Sequence, residues 1–373
     1  MVNEKSVVEF DPRDLNPQLV ILARQSRGLT QNELASKMKV GQGTVSKMEA
    51  GLGHPTKEEL EDFANVLNYP PHFFTQKRKV IGADISELYH RKHVVVSART
   101  LNKVHACAAI RIMNIEDLLR SWEYNKPELP ILPIEDYDGN PEKIARTVRA
   151  VLKLPPGPIV SMTQVIEDCG GIIIKMDMET RHIDGFSRRG DNLPPVFFIN
   201  QNLLPDRWRW TLAHELAHMV MHTEPSNKDI EDEANRFAGE FLSPAYEIKP
   251  QLWELSIPKL AGLKRYWKIS IQALLMRAKQ LGIIEDWKQR QMFMKLSKAG
   301  FRLREPEELD PPAEPPQRIQ QMIEFHKTKL GYTDNDLQIA LATSIDDIYA
   351  LYHQGTAHLW EQINDIIEGE QAS

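Results

Sequence analysis

The stretch WTLAHELAHMVMH, Trp210 to His222, sets His214 and His218 four residues apart with Glu215 directly after the first. Residues at that spacing on a helix project from one face, so both imidazoles can reach a single metal ion. Glu215 then stands where it touches a water on the metal rather than the metal itself. Zinc bound by such a pair brings the pKa of that water towards about 7, and a neighbouring carboxylate can take its proton and return it to a leaving amine. A structural zinc site is closed by four protein ligands, whereas a catalytic one has three and keeps a position for water. A third ligand is therefore required.

It is sought in IEDEANRFAGEFLSP, Ile230 to Pro244, where Ala234, Phe237, Ala238 and Phe241 mark the apolar stripe of an amphipathic helix. Glu231 and Asn235 share a face of that helix, while Glu233 lies roughly 200° around from Glu231 at about 100° per residue. Only one of the two glutamates can face the metal. Glu231 is the choice, because Asn235 then falls where it can hold a ligating histidine by its other ring nitrogen. Glu233 is the alternative, and Asp232 reads as a solvated charge. His222 reads as a satisfied histidine at a helix end, with contact to substrate or an oxyanion as the other reading.

Around this centre, 373 residues with 42% hydrophobic and 26% charged side chains suffice for two or three globular units. The expectation is a multi-domain, mainly α protein: residues 1–75 an all-α helix-turn-helix, 76–135 a connecting helix and linker, 136–304 an α+β domain with a small sheet that carries the histidines, zincin-like and a peptidase by family resemblance, and 305–373 a helical C-terminal region. With no charged-then-apolar leader and no apolar run near the roughly 20 residues that cross a bilayer, a cytoplasmic location without membrane contact is expected. Cys107 and Cys169 are too few and too far apart for a disulfide framework, and read as free buried thiols.

A net charge of -6 argues against a chain coated in nucleic acid, yet between Asn16 and Lys57 six Lys or Arg stand against two Glu, a local +4. There Leu19, Leu22 and Ala23 give one apolar helical face, Gly28 ends it, and Thr30 with Glu33 forms a capping box for the next helix, with Leu34, Ala35 and Met38 inward. After the turn Lys39-Val40-Gly41, Gln42 to Ala50 turns Val45 and Met48 to the core and leaves Gln42, Thr44, Ser46 and Lys47 outside. A short helix with a small, polar outer face suits a major groove. Gly41 and Gly43 flank Gln42 and weaken the start of that helix, each interior glycine costing roughly 1 kcal/mol.

Further on, Ala98 to Trp122 reads as a long helix with Val104, Ala108, Ile112 and Ile115 among its apolar positions, a packed connector or else a dimerisation element. Glu128 to Ile134 reads as a proline-punctuated linker, Pro141 to Leu152 as a helix, and Val165 to Gly171 as the end of another. Ile172 to Met176 and Val196 to Asn200 read as strands. The second of these is a core strand or one that pairs with an extended substrate. Leu260 to Leu281 reads as helical. The proline-rich EPEELDPPAEPP separates it from a last helical pair, in which Asp346 and Asp347 suit packing better than DNA contact.

LTQNELASKM, TVSKMEAG and the closing helix Leu60 to Asn68 resemble the Cro/repressor-like (XRE) helix-turn-helix family. That resemblance implies operator DNA as partner, with Gln31 capping a helix against a phosphate and Gln42, Thr44, Ser46 and Lys47 meeting bases or backbone. DRWRWTLAHELAHMVMH with EDEANRFAGEFLSP resembles the ImmA/IrrE family of zinc metallopeptidases, as do Asp184 to Ser187 (DGFS), PPVFFIN and ISIQALLMRAKQLGII. The family implies Zn2+ held by His214, His218 and Glu231, Glu215 as general base, and a protein substrate such as a repressor. A non-catalytic sensor and a toxin-antitoxin type autoregulator are the alternatives, and a homodimer is expected from the two-fold operators such proteins read.

Overall fold

The computed structural model describes residues 8–80, 96–122, 129–190, 193–222 and 230–352, which places Glu128, the start of the expected linker, outside the described residues. The chain forms two compact units. One comprises Met1–Tyr124, Asp177–His182 and Gln317–Ser373, the other Asn125–Met176 and Ile183–Pro316.

The first unit opens with helices α1 (Pro17–Ser26), α2 (Gln31–Lys37), α3 (Gln42–Glu49) and α4 (Lys57–Leu67). Their ends are chemically specified. Gly28 stops α1 at φ +66, the Thr30–Glu33 and Thr56–Glu59 capping boxes start α2 and α4, and Asn68 in the left-handed region closes α4. Gly41 serves as the N-cap of α3 without a side-chain bond, so this helix begins at Gln42. Leu19, Ala23, Leu34, Val45, Leu60 and Phe63 meet in one core, to which Phe73 and Phe74 also belong.

Helix α5 (Ala98–Leu119) is buried around most of its circumference, with Val104, Ala106, Ala108, Ile110, Ile112, Met113, Ile115 and Leu118 all enclosed. One side packs on α1, where Arg99 Nε donates to Gly28 O at 2.7 Å. The expectation of a dimerisation helix meets a side chain set already used within the chain.

The second unit carries α6 (Pro141–Val151) and α7 (Met162–Asp168), then strands β1 (Ile172–Met176), β2 (Gly185–Gly190) and β3 (Leu193–Asn200). The strand order is β1-β3-β2, with β1 parallel and β2 antiparallel to β3. Because β3 is the middle strand, both its edges are occupied, and the expectation that Val196 to Asn200 pairs with a substrate is corrected: it is a buried core strand. Next come α8 (Pro205–Met221), α9 (Ile230–Leu242) and the short α10 (Ala245–Ile248). Leu132 N donates to Val220 O at 2.9 Å, so the expected linker is fastened to the end of α8.

The expected single helix from Leu260 to Leu281 is two, α11 (Ile257–Trp267) and α12 (Ile271–Gln280). Lys268 takes φ +58 and Ser270 caps the second, which breaks the rod despite its continuous apolar spacing. Helix α13 (Asp286–Lys298) follows.

The proline-rich segment after α13 is a docked strap. Glu305 accepts from Ile271 N at 3.1 Å and from Lys264 Nζ at 2.9 Å. Glu314 accepts from Met162 N at 2.7 Å and Thr163 N at 3.1 Å and pairs with Arg209 of α8. Two carboxylates thus cap α12 and α7, where exposed amides and the helix dipole favour an anion.

The chain then returns to the first unit as α14 (Arg318–Thr328), α15 (Asp334–Leu341) and α16 (Ile345–Tyr352), three short helices rather than the expected pair. Asn114 of α5 donates to Leu341 O at 2.9 Å, and Arg27 pairs with Asp347 at 2.6 Å. No helix among the described residues is long and apolar enough to cross a membrane.

Candidate metal centre and DNA-facing helix

Helix α8 presents His214 and His218 one turn apart, and α9 lies against it. The two Nε2 atoms are 3.1 Å apart. Glu231 Oε2 is 3.5 Å from His214 Nε2, and its Oε1 is 3.5 Å from His218 Nε2. A zinc tetrahedron with bonds of about 2.0–2.1 Å has ligand-to-ligand edges of about 3.3–3.4 Å. The nitrogen–nitrogen separation is close to that value, the two nitrogen–oxygen distances end on different oxygens of Glu231, and the nitrogen, nitrogen, oxygen donor set is one that zinc accepts. Two imidazole lone pairs and a carboxylate held this close repel one another unless a cation or a proton stands between them. Burial acts to raise the Glu231 carboxyl, but hydrogen bonding and charge from His214 and His218 outweigh it and hold the group well below the usual carboxylate range.

The ring nitrogens turned away from this focus also have partners. His214 Nδ1 lies 3.2 Å from Asn235 Oδ1. His218 Nδ1 lies 2.9 Å from His222 Nδ1, and His222 Nε2 lies 3.0 Å from Glu233 Oε2. Burial, together with the charges of His218 and His214, pushes His222 down to about 3, so this ring is neutral. Glu231 and Glu233 therefore turn to different groups: one closes the metal-sized cluster, the other holds His222. Asp232 is 60% exposed and lies 4.0 Å from Arg236 one turn further along α9.

Glu215 is buried on α8, and its Oε2 accepts from Ser187 Oγ at 2.9 Å. Ser187 lies on β2, which packs along α8. Alternate residues of the strand meet successive turns of the helix. A Cβ at Gly185 would lie 3.0 Å from Thr211 and 2.8 Å from Phe198 O, so glycine permits the close approach. Ser187 reaches Glu215, and Arg189 donates to Met219 O at 3.0 Å. Burial depresses the Arg189 guanidinium. Neither Ser187 nor Arg189 was singled out chemically by the sequence. GFSRRG has no β-branched alternation, and the one signal was the DGFS similarity.

On the first unit, Arg24 binds Glu49 at 2.5 Å, Gln31 Nε2 donates to Glu49 at 2.7 Å, and Gln42 Nε2 donates to Gln31 Oε1 at 2.7 Å. Gln31 is thus held between α2 and α3. Gln42 and Lys47 are exposed, and Thr44 and Ser46 half-buried.

Residues 20–74 match the helix-turn-helix family, and residues 167–279 match the peptidase family described as the IrrE N-terminal-like domain. The chain joins a helix-turn-helix domain to an IrrE-like domain. No curated protein matches it. The IrrE-like match takes in β2, α8 and α9, hence His214, Glu215, His218, Glu231, Asn235 and Ser187, and it ends before the strap.

Proposed function

We propose that the chain is an operator-binding regulator whose IrrE-like domain is a zinc-dependent endopeptidase acting on a protein, such as a repressor. The observation that carries the reading is the convergence of His214, His218 and Glu231, within 4.8 Å of one another, beside a glutamate held by a hydroxyl. His214, His218 and Glu231 would hold the ion, with Asn235 behind His214. Zinc, when bound, supplies a Lewis acid that polarises the scissile carbonyl and makes a water acidic near neutral pH.

The chain's own residues do the rest. Glu215 takes the proton of the attacking water on one carboxylate oxygen and delivers it to the leaving amine, while Ser187 holds the other oxygen in register. The edge of β2 not paired with β3 offers backbone groups to an extended peptide, in the manner of strand addition. Operator contact falls to Gln42, Thr44, Ser46 and Lys47, with Gln31 positioned by Glu49, and two copies reading a two-fold operator is the expected arrangement.

The test compares zinc-loaded wild type and Glu215→Ala by intact mass, alone and with a co-encoded repressor. Cleavage by wild type only, at equal zinc content, supports the peptidase. Intact protein in both, with operator DNA still bound, refutes hydrolysis and leaves a metal-holding regulator.

A further inference from the structure

Each imidazole of the metal-facing pair has a second nitrogen, and the two are served differently. His214 Nδ1 meets an amide oxygen, Asn235 Oδ1. His218 Nδ1 meets another imidazole, and that imidazole meets a carboxylate. The side chains of His222 and Glu233 are only 7% and 15% exposed, so little water competes for these bonds.

The proton positions follow from what each atom can do. An ionised carboxylate only accepts, so the proton between His222 and Glu233 sits on His222 Nε2. In the neutral ring the opposite nitrogen is then an acceptor. His222 Nδ1 accordingly takes a hydrogen bond from His218 Nδ1–H. The tautomer this favours turns the lone pair of His218 Nε2 towards the space it shares with His214 Nε2 and Glu231. We propose that Glu233 and His222 form a relay that fixes His218 in its metal-binding tautomer. This rests on the metal-binding half of the function proposed above and is independent of hydrolysis.

The rival arrangement shows what the relay prevents. A proton on His218 Nε2 would point at His214 Nε2, 3.1 Å away, and the two rings would bond to each other across the metal position. Asn235 works against this from the His214 side with a neutral oxygen. The relay works from the His218 side with a full negative charge, which also makes His218 a stronger donor to a cation. Backbone geometry supplies the reach: His222 caps α8 at φ -109 and ψ 73, departing from the helix while its ring stays under that of His218. Glu233 and His222 are positioning residues, since neither belongs to the three groups that converge.

The experiment uses the full chain as wild type, Glu233→Ala, Glu233→Gln and His222→Phe. Zinc affinity is read by competition with a chromogenic chelator, and the His218 tautomer by nitrogen-15 spectra of the metal-free protein. Glu233→Ala and His222→Phe should bind zinc roughly 10–100-fold more weakly while still taking up one ion per chain at saturation. Glu233→Gln, which keeps an acceptor oxygen, should recover part of the loss. The His218 signal should move from the Nδ1–H form towards the Nε2–H form in Glu233→Ala.

Affinity within about twofold of wild type in both deletions would overturn the relay. Complete loss of zinc at saturation in Glu233→Ala would also overturn it, since Glu233 would then be a ligand. A wild type without zinc affinity would sink the metal reading itself. The metal-free spectra would still judge the relay, with an unchanged Nδ1–H signal in Glu233→Ala counting against it.

Discussion

Replacing Glu314 with alanine should destabilise the IrrE-like unit far more than a surface change would. The Arg209 side chain is fully buried and that of Glu314 is 7% exposed. Arg209 keeps a bond to Ile159 O at 2.7 Å after the substitution but loses its only carboxylate partner among the described residues. Breaking a buried ion pair from one side costs about 3–5 kcal/mol, because the remaining charge is uncompensated. The amides of Met162 and Thr163 lose their acceptor as well, a loss of about 1 kcal/mol for a helix cap. At about 2–4 °C per kcal/mol for a unit of this size, the combined loss of about 4–6 kcal/mol should lower the melting temperature by roughly 8–24 °C. Calorimetry of the full chain reads the shift. The control is Arg209→Met with Glu314→Leu, which removes both charges and should recover most of the loss, as apolar replacement of a buried pair does. A single variant within about 2 °C of wild type, or a double variant no better than the single, would refute the reasoning.

Ser187→Ala removes a donor to the Glu215 carboxylate. With such a bond contributing about 1.5–3 kcal/mol, kcat/KM should fall roughly 10–100-fold at unchanged zinc content, and unchanged turnover would deny Ser187 its positioning role. In Glu231→Ala, EDTA should no longer lower the melting temperature, because the ligand set that couples zinc to folding is incomplete; a persisting EDTA effect would move the third ligand elsewhere. Gln42→Ala should lose about 1–3 kcal/mol of discrimination at one operator base pair, whereas Lys47→Ala should weaken all sequences alike and reduce the salt slope by about one. Binding titrations on operator and mutated operator at several salt concentrations distinguish the two.

The sequence carried those features that are set locally. The capping box at Thr30, the stop at Gly28 and the apolar faces of α1 and α2 each depend on neighbours within a turn or two, and all stand where the residues indicate. The spacing of His214 and His218 is equally local. What it hid depends on distant partners. Strand β2 exists because β3 pairs with it and Gly185 lets it approach α8, neither of which GFSRRG announces. The segment from Glu305 to Glu314 reads as a break because prolines dominate it. Its carboxylates find their amides about 30 and 150 residues away in sequence, beyond the reach of any periodicity. His222 looked like an ordinary helix-end histidine because its partner Glu233 sits on another helix.

The path of the backbone also limits how the protein can be taken apart. The first unit is assembled from three separate lengths of chain, with the second threaded between them. A fragment ending at Arg304 would leave Lys264 without Glu305 and Asp310, and Arg209 without Glu314. A fragment ending at Asn68 would strip α1 of Arg27's partner Asp347 and lose Phe73 and Phe74 from the core. Each unit thus depends on residues far along the chain, and a truncation at either of these points removes partners that the remaining fragment uses.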